Sequence, residues 1–280
     1  MSDERPIGIF DSGLGGLTVV REVMRLMPGE SVAYLGDTAR CPYGGRSESA
    51  IRQFGLQDAH FLIAQDIKLL VVACNTVSSV ALEDIRRVAR DIPVIGVVLP
   101  GARAAVLRTA ERKVGVIGTA ATIRTQSYTR AMHEVDARIT VFGKACPLFV
   151  PLVEEGLFNS DISRLAAQHY LYDIVNAGID CLILGCTHYP LLMEVIQSTV
   201  GNRIQLIDSA LWTAKEAQDI LVALNAQCAA PKGGLERSRF FVSDCTPDFE
   251  RLAAMFLGTP LPLVERVGLE QLTSNYQLTP

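Results

Sequence analysis

Short runs of β-branched and aliphatic residues alternate with helix-length segments along almost the whole chain of 280 residues. Each run is apolar at nearly every position, which is typical of strands that are covered on both faces of a sheet. Strands that alternate with helices need crossover connections, so the pattern predicts an α/β fold with mainly parallel sheets flanked by helices. The predicted strands cover residues 7–11, 32–36, 68–74, 94–98, 113–118, 139–143, 181–185, 204–207 and 240–242.

The segments between these strands include clear helical patterns at residues 47–65, 78–90, 160–177 and 210–225. Residues 229–234 are predicted as a loop, because proline and glycine interrupt regular structure there. A strand that ends in cysteine and polar residues before a helix occurs in the first hundred residues and again in the second. This repetition predicts two similar lobes that face each other, with one lobe at residues 1–97 and the other beginning at residue 98.

Composition restricts the class of protein. Apolar residues make up 49% and charged residues 20%, which indicates a well-packed globular chain. The formal net charge of −4 argues against a surface that binds phosphate backbones, so no nucleic-acid partner is expected. No apolar run approaches the roughly 20 residues that cross a bilayer, and the first residues lack a signal peptide's apolar core. Seven cysteines scattered through apolar segments indicate reduced thiols and a cytoplasmic location.

Two of the predicted strands end in cysteine, in the segments VACNT (residues 72–76) and LGCTH (residues 184–188). In parallel sheets ligands bind beyond the carboxyl ends of strands, so Cys74 and Cys186 stand where a site would form. A thiol at a helix N-terminus feels the positive end of the helix dipole, which predicts a lowered pKa at both positions. A buried cysteine more often serves as a small apolar residue, but two cysteines in the same placement favour function.

The other five cysteines are interpreted as packing residues: Cys41, Cys146, Cys181, Cys228 and Cys245. Cys181 and Cys186 are five residues apart along one strand, so their side chains should point to opposite faces. The chain has no C-x-x-C pair, and the Cys-x-His of residues 186–188 supplies at most two ligands, so no metal site is expected. His188 is the one histidine at a strand end, where it could hold a proton or orient a carboxylate.

The segment GIFDSGLGGLTVV (residues 8–20) has glycines after a strand but lacks the third glycine of the dinucleotide fingerprint. Asp11 at the end of that strand would repel a phosphate, and it suits a substrate ammonium or an acid–base role. Ser12 beside it can donate to a carboxylate. Asp37, at the end of the next strand, is a second carboxylate in the same row.

A loop with Pro42, Tyr43 and Gly44 follows, in RCPYGGRS (residues 40–47). This loop is either a surface turn whose Ser47 caps the next helix, or a substrate loop that offers backbone N–H groups and the tyrosine hydroxyl to an anion. Two hydroxyls, Thr119 and Thr122, follow another strand at a helix start, where anions bind favourably. Glu154 lies in ACPLFVPLVEEG (residues 145–156), and taken alone its glutamate pair is typical of a solvated face.

Together these segments resemble the cofactor-independent aspartate/glutamate racemase superfamily, and within it the glutamate racemases. The resemblance covers nearly the entire chain and is carried by GIFDSGLGGLTV, YLGDTARCPYG, VACNT, GT-x-x-T, ACPLFVPLVE, LGCTHYPLL and IDSA, in that order. It implies that residues 208–280 return to the first lobe, that the second lobe is residues 98–207, and that the site lies in the cleft between the lobes. One departure is Val77, where the family often has alanine, which narrows one wall of the site.

The resemblance also implies roles for individual residues. Cys74 and Cys186 would be the two catalytic bases, assisted by Asp11 and His188. Asp37 and Glu154 would have supporting roles. The implied substrate contacts are Asp11, Ser12, Pro42, Tyr43, Gly44, Asn75, Thr76, Thr119, Thr122, Thr187 and His188.

The implied reaction is interconversion of L-glutamate and D-glutamate without cofactor or metal, with D-glutamate supplied to peptidoglycan. Inverting an α-carbon requires a base on each face, and two cysteines on opposing walls meet that need. None of the five lysines lies in a strand-end phosphate cup, so no pyridoxal phosphate is expected. The first strand begins near residue 6, without the N-terminal extension of members activated by a cell-wall nucleotide precursor, so no such activation is expected.

Several alternatives stay open. Racemisation of aspartate or another acidic amino acid differs only in pocket length, which the sequence does not measure. A nucleotide-binding dehydrogenase is favoured only by Gly13-x-Gly15 and by Asp37 at a suitable distance downstream. The family implies a homodimer, although hydrophobic periodicity does not choose its geometry. Some members also bind DNA gyrase, and no feature of the sequence indicates for or against that role.

Overall fold

The strands form two parallel sheets in a computed structural model that describes residues 2–246 and 248–277. The first sheet has the order β10-β9-β2-β1-β3-β4 and the second has the order β6-β5-β7-β8. This arrangement confirms the predicted α/β fold. The strands are β1 Ile7–Asp11, β2 Val32–Gly36, β3 Leu69–Val72, β4 Val94–Gly96, β5 Lys113–Gly118, β6 Thr140–Ala145, β7 Cys181–Gly185, β8 Gln205–Asp208, β9 Arg239–Val242 and β10 Val264–Arg266.

The predicted strand bounds agree with the structure for four strands, and those of β4, β6, β8 and β9 differ by one or two residues. β1, β2, β5 and β7 have the predicted ends, whereas β3 stops two residues early because the chain turns at Ala73 and Cys74 into the next helix. β10 was not predicted, since Val-Glu-Arg is a three-residue edge strand with two exposed charged residues and no apolar run.

The helices cover both faces of the sheets. They are α1 Leu17–Leu26, α2 Glu48–Ile63, α3 Asn75–Val80, α4 Leu82–Ala89, α5 Val98–Arg108, α6 Ala120–Arg124, α7 Ser127–Val135, α8 Phe149–Glu154, α9 Asp161–Asn176, α10 Met193–Val200, α11 Ser209–Ala223, α12 Phe249–Leu257 and α13 Leu269–Gln277. Short 3-10 helices occupy Thr38–Arg40, Tyr189–Leu192 and Leu235–Arg237.

The single helix predicted at residues 78–90 is wrong, because the segment forms α3 and α4 with a break at Ala81. Ser78 explains the early start of α3, since its hydroxyl donates to the Val72 carbonyl at 2.8 Å and accepts from the Val97 N–H at 3.2 Å. These tertiary bonds tie α3 to the end of β3 and to Val97, the residue after β4, and no local sequence signal reports them. The predicted cap of α2 is confirmed, since the Ser47 hydroxyl accepts from the Ala50 N–H.

Strand side chains alternate between two apolar layers, which accounts for runs without polar positions. Ile9 and Val71 face one layer, while Phe10 and Val72 face the other. We use "first lobe" for the six-stranded sheet with its helices and "second lobe" for the four-stranded sheet with its helices. Strands up to residue 96 and after residue 239 belong to the first sheet, but the exact lobe boundaries stay a prediction.

Candidate active site

A small cavity lies between the carboxyl ends of the two sheets. Its volume is about 20 Å³, enough for one water molecule. Both lobes contribute to its wall, and both strand-end cysteines are part of it. The lining residues are Ser12, Cys41, Pro42, Tyr43, Gly44, Cys74, Asn75, Thr76, Thr119, Val150, Cys186, Thr187 and His188.

Four of the predicted site residues do not line this cavity: Asp11, Asp37, Thr122 and Glu154. The first three are fully or almost fully buried, and each bonds to a residue of the lining. They therefore form a layer that supports the wall. Glu154 lies at the outer side of His188, on a neighbouring surface depression.

Cys74 stands at the N-terminus of α3, as the sequence predicts, but the predicted fall in its pKa is wrong. Burial, reinforced by the nearby Asp11 carboxyl, raises the pKa of Cys74 to about 12. The sulfur lies 3.6 Å from the Ser12 hydroxyl, and this contact offsets the rise only in part. A helix of six residues has a weak dipole, so desolvation dominates. At neutral pH Cys74 is a thiol in this state of the site.

Cys186 follows β7, but the chain next forms a turn and a 3-10 helix, so the predicted helix N-terminus at this cysteine is wrong. Its neighbour His188 is buried, and its Nε2 lies 3.2 Å from Glu154 Oε1. Burial lowers the pKa of His188, but hydrogen bonds to Cys186 and Glu154 outweigh burial and raise it to about 10. The imidazole is therefore protonated at neutral pH and places a positive charge beside the Cys186 sulfur.

Asp11 connects the two lobes. Its carboxylate accepts from the Gly13 N–H at 3.1 Å and from the Thr187 hydroxyl at 3.4 Å. Burial raises the pKa of Asp11, while the nearby His188 and backbone N–H groups oppose that rise. The aspartate thus holds the second-lobe loop that carries Thr187 and His188.

The glycines after β1 have a packing explanation. A Cβ at Gly15 would lie 2.3 Å from Thr187 Oγ1, and a Cβ at Gly16 would lie 2.5 Å from Asp11 Cβ. The space at these glycines is filled by the protein's own side chains. Gly15 therefore allows close contact between the lobes and Gly16 allows close packing within the first lobe, which weakens the dehydrogenase alternative.

The loop at residues 41–45 presents its backbone and the tyrosine ring to the cavity. The expectation that the Tyr43 hydroxyl is offered to a substrate anion is wrong. The hydroxyl instead donates to Asp37 and lies 3.1 Å from Asp58 Oδ2. Arg40 completes this buried cluster, with Nε at 2.5 Å from Asp37 Oδ2 and Nη2 at 3.1 Å from Asp58 Oδ1. The cluster holds the loop against α2.

Hydroxyls from both lobes meet on another wall. The Thr76 and Thr119 hydroxyls are 2.9 Å apart, and Thr122 Oγ1 is 3.0 Å from Thr119 Oγ1. Each hydroxyl can turn its proton toward a bound carboxylate, because its present partner is another hydroxyl that can rotate. These threonines provide donors for an anionic group.

Some residues of the site were missed from the sequence. Cys41 lines the cavity, although the sequence predicts a packing role for it. Val150 also lines the cavity and is not among the predicted residues. Asp58, from the interior of α2, and Tyr128, from the first turn of α7, bond to lining residues. Cys41 could have been found from its position in the loop segment RCPYGG, whereas Asp58 and Tyr128 carry no local signal.

The arrangement suits proton transfer at a small anionic substrate. Two sulfurs come from opposite lobes, one beside a carboxyl and one beside an imidazolium. Hydroxyl donors and a buried amide line the remaining wall, and burial excludes bulk water. Among the residues that the structure describes, no group of three or more histidine, cysteine or acidic side chains is placed to hold a metal ion. Within residues 2–246 and 248–277, no helix combines the length and apolar character that a bilayer crossing requires.

Known proteins resemble this chain in sequence and in fold. Residues 16–217 match the family model described as Asp/Glu/Hydantoin racemase. The chain is 46% identical over 269 residues to a glutamate racemase of Chlorobaculum tepidum, covering 96% of this chain and 98% of that protein. It superposes on glutamate racemase from Francisella tularensis in complex with D-glutamate with a TM-score of 0.89 and 38% identity, covering 96% and 99% of the two chains. For Escherichia coli glutamate racemase in complex with L-glutamate and activator UDP-MurNAc-ala the TM-score is 0.76 and the identity 29%, covering 94% and 98%.

Proposed function

Because the chain belongs to the Asp/Glu/hydantoin racemase family, we propose that it interconverts L-glutamate and D-glutamate with Cys74 and Cys186 as the two bases. The observation that carries the mechanism is that these thiols, from different lobes, line the same cavity. Relatives that are glutamate racemases at 46% identity support glutamate as the substrate.

Each turnover moves two protons at one carbon. A thiolate on one wall removes the α-proton, and the thiol on the other wall donates its proton to the opposite face of the carbanion. The C–H bond that breaks and the C–H bond that forms lie on opposite faces, so configuration inverts. The product leaves the two cysteines with exchanged protonation states, which prepares them for the reverse direction.

The groups beside the two sulfurs differ and support different roles for them. Protonated His188 lies beside Cys186, whereas burial and the nearby Asp11 carboxyl raise the pKa of Cys74. The hydroxyls of Thr76 and Thr119 would bind a substrate carboxylate, and a dry cavity strengthens those hydrogen bonds.

Solvent deuterium incorporation tests the function. Purified protein is incubated with either enantiomer of glutamate in heavy water, without added cofactor, and the product is analysed by mass spectrometry and chiral chromatography. We expect deuterium at the α-carbon of the inverted product in both directions. Folded protein that shows neither exchange nor racemisation would exclude the proposed reaction.

Racemisation of aspartate or another acidic amino acid is the second candidate. The hydroxyls of Thr76 and Thr119 can donate to the carboxylate of an amino acid with either side-chain length. The relatives named above favour glutamate. A panel of acidic amino acids under the same conditions would decide, and we expect glutamate to have the highest kcat/KM.

We further propose that the protein works in the cytoplasm, supplies D-glutamate for peptidoglycan and forms a homodimer. The free thiols, found at all seven cysteines, support a reducing compartment. Exposed Ile162, Leu165 and Tyr172 on the outer face of α9 support self-association, since their exposed fractions are 57%, 65% and 70%. Sedimentation analysis should give a dimer, and Leu165→Glu should shift it toward monomer.

A further inference from the structure

The side chain of Asn75, which lines the cavity, has a buried oxygen to which no residue that the structure describes donates a hydrogen bond. Its side chain is 2% exposed, and its amide oxygen has no partner among the described residues. Its amide nitrogen donates to the Tyr128 hydroxyl at 2.8 Å. A buried acceptor without a donor is destabilising, so this oxygen is placed to accept from a group that the protein itself does not supply.

The hydrogen bond to Tyr128 determines how the amide is turned. The Asn75 amide nitrogen donates to the Tyr128 oxygen, so the amide oxygen is left for another donor.

Tyr128 contacts the ends of both cysteine-bearing strands. Its side chain is buried, and a Cβ at Gly185, directly before Cys186, would lie 3.2 Å from its ring edge. Its hydroxyl bonds to Asn75, directly after Cys74. Burial raises the pKa of Tyr128, so the hydroxyl keeps its proton at neutral pH and serves as donor and acceptor together. Tyr128 itself is not among the residues that line the cavity.

We propose that Tyr128 is a positioning residue, which holds the Asn75 amide so that its oxygen accepts from the ammonium group of the bound amino acid. This inference rests on the proposed racemisation, since it assumes an amino-acid substrate. Tyr128 acts through Asn75 and contributes to binding more than to proton transfer.

The test compares Tyr128→Phe with a matched control, Tyr170→Phe. Tyr170 is buried in the same lobe, and its hydroxyl accepts from the Leu148 N–H at 3.3 Å, away from the cavity. We expect Tyr128→Phe to raise the Kd for D-glutamate by calorimetry and the KM about tenfold, with kcat changed less than threefold. Tyr170→Phe should leave Kd and KM within twofold.

A double-mutant cycle separates positioning from general support. In an Asn75→Ala background, Tyr128→Phe should weaken D-glutamate binding by less than twofold, because the group through which it acts is gone. A further tenfold loss in that background, or an unchanged Kd in the single variant, would overturn the inference. If Tyr128→Phe does not fold, Asn75→Ala alone decides: a Kd for D-glutamate about tenfold higher supports the inference, and an unchanged Kd overturns it.

The experiment also distinguishes this inference from the proposed function. Wild-type protein that binds D-glutamate without racemising it would exclude the function while the binding comparison still decides the role of Tyr128. Wild-type protein that racemises glutamate, together with additive losses in the cycle, would exclude only the positioning role. Absence of both binding and racemisation would exclude both.

Discussion

The thiols of Cys74 and Cys186 have similar places in the sequence but different surroundings. Cys74 lies near a carboxyl group and Cys186 beside a protonated imidazole. Both sulfurs are buried, so water screens these neighbouring charges little. Two cysteines with similar places in the sequence therefore have different electrostatic surroundings.

Replacement of either cysteine should abolish racemisation. Cys74→Ala and Cys186→Ala each remove the only proposed base on one face, so we expect turnover in both directions to fall at least about 1,000-fold. Chiral chromatography measures the rates, and circular dichroism checks the fold. Near-normal rates in either variant would contradict the two-base scheme, and Cys181→Ala, on the opposite face of β7, should keep most activity.

His188 should make stability depend on pH. Its pKa of about 10 lies above the ordinary value of 6.5. The stabilisation by its partners is therefore full below about pH 6.5 and is lost as pH rises toward 10. The difference in unfolding free energy between wild type and His188→Gln should shrink over that range, by at most about 1.4 kcal/mol per pH unit. Urea unfolding at several pH values measures it, with exposed His169→Gln as the control. Parallel curves for wild type and His188→Gln would contradict the assignment.

At the scale of elements, the site is built from strand ends and the loops that follow them. The loop after β1 packs directly on the loop after β7, with glycine at the point of contact. The loop at residues 41–45 is held against α2 by the cluster of Arg40, Asp37 and Asp58. Rigid strands thus position loops that carry the chemistry.

A methyl group at Gly15 should separate these loops. In Gly15→Ala the added Cβ would lie 2.3 Å from Thr187 Oγ1 and 2.6 Å from His188 Nδ1, so the second-lobe loop must shift. We expect kcat/KM to fall about 100-fold, because small displacements of catalytic groups are costly. Gly45→Ala is the control, since nothing lies within 4 Å of its Cβ, and its kcat/KM should stay within about twofold of wild type. Equal effects of the two substitutions would refute the contact argument.

The two lobes meet through an apolar side and a polar side. One core cluster includes Ile9 of the first sheet and Leu184 of the second. The other side has polar contacts between the lobes: Thr76 with Thr119 at 2.9 Å and Ser79 with Ser127 at 2.8 Å. A cavity of about 20 Å³ is too small for an amino acid, so the lobes must separate for substrate to bind. Polar contacts can exchange with water, so separation should occur on that side.

Hydrogen exchange should report this movement. With D-glutamate bound, amides at residues 41–45, 74–76, 119–122 and 186–188 should exchange more slowly, because the substrate bridges the lobes and keeps them closed. Mass spectrometry of peptides with and without ligand measures the change. The outer helix α9 should be unaffected, and protection confined to one lobe would show that the substrate does not lie between them.

Sequence alone determined the fold class, the bounds of β1, β2, β5 and β7, and the position of both cysteines at strand ends. The reason is local, since a strand covered on both faces is apolar at nearly every position. Polar groups directly after such strands stand out because they cannot belong to the buried run.

Only the tertiary structure decided which groups touch and how they ionise. The pKa of Cys74 is raised because burial and Asp11, distant in sequence, outweigh the short helix that follows. The Tyr43 hydroxyl turns away from the cavity because it donates to Asp37 and lies beside Asp58. Tyr128 lies in the first turn of α7, and its bond to Asn75 depends on how the second lobe packs on the first. Desolvation and contact between distant segments exist only after folding, so no local pattern contains them.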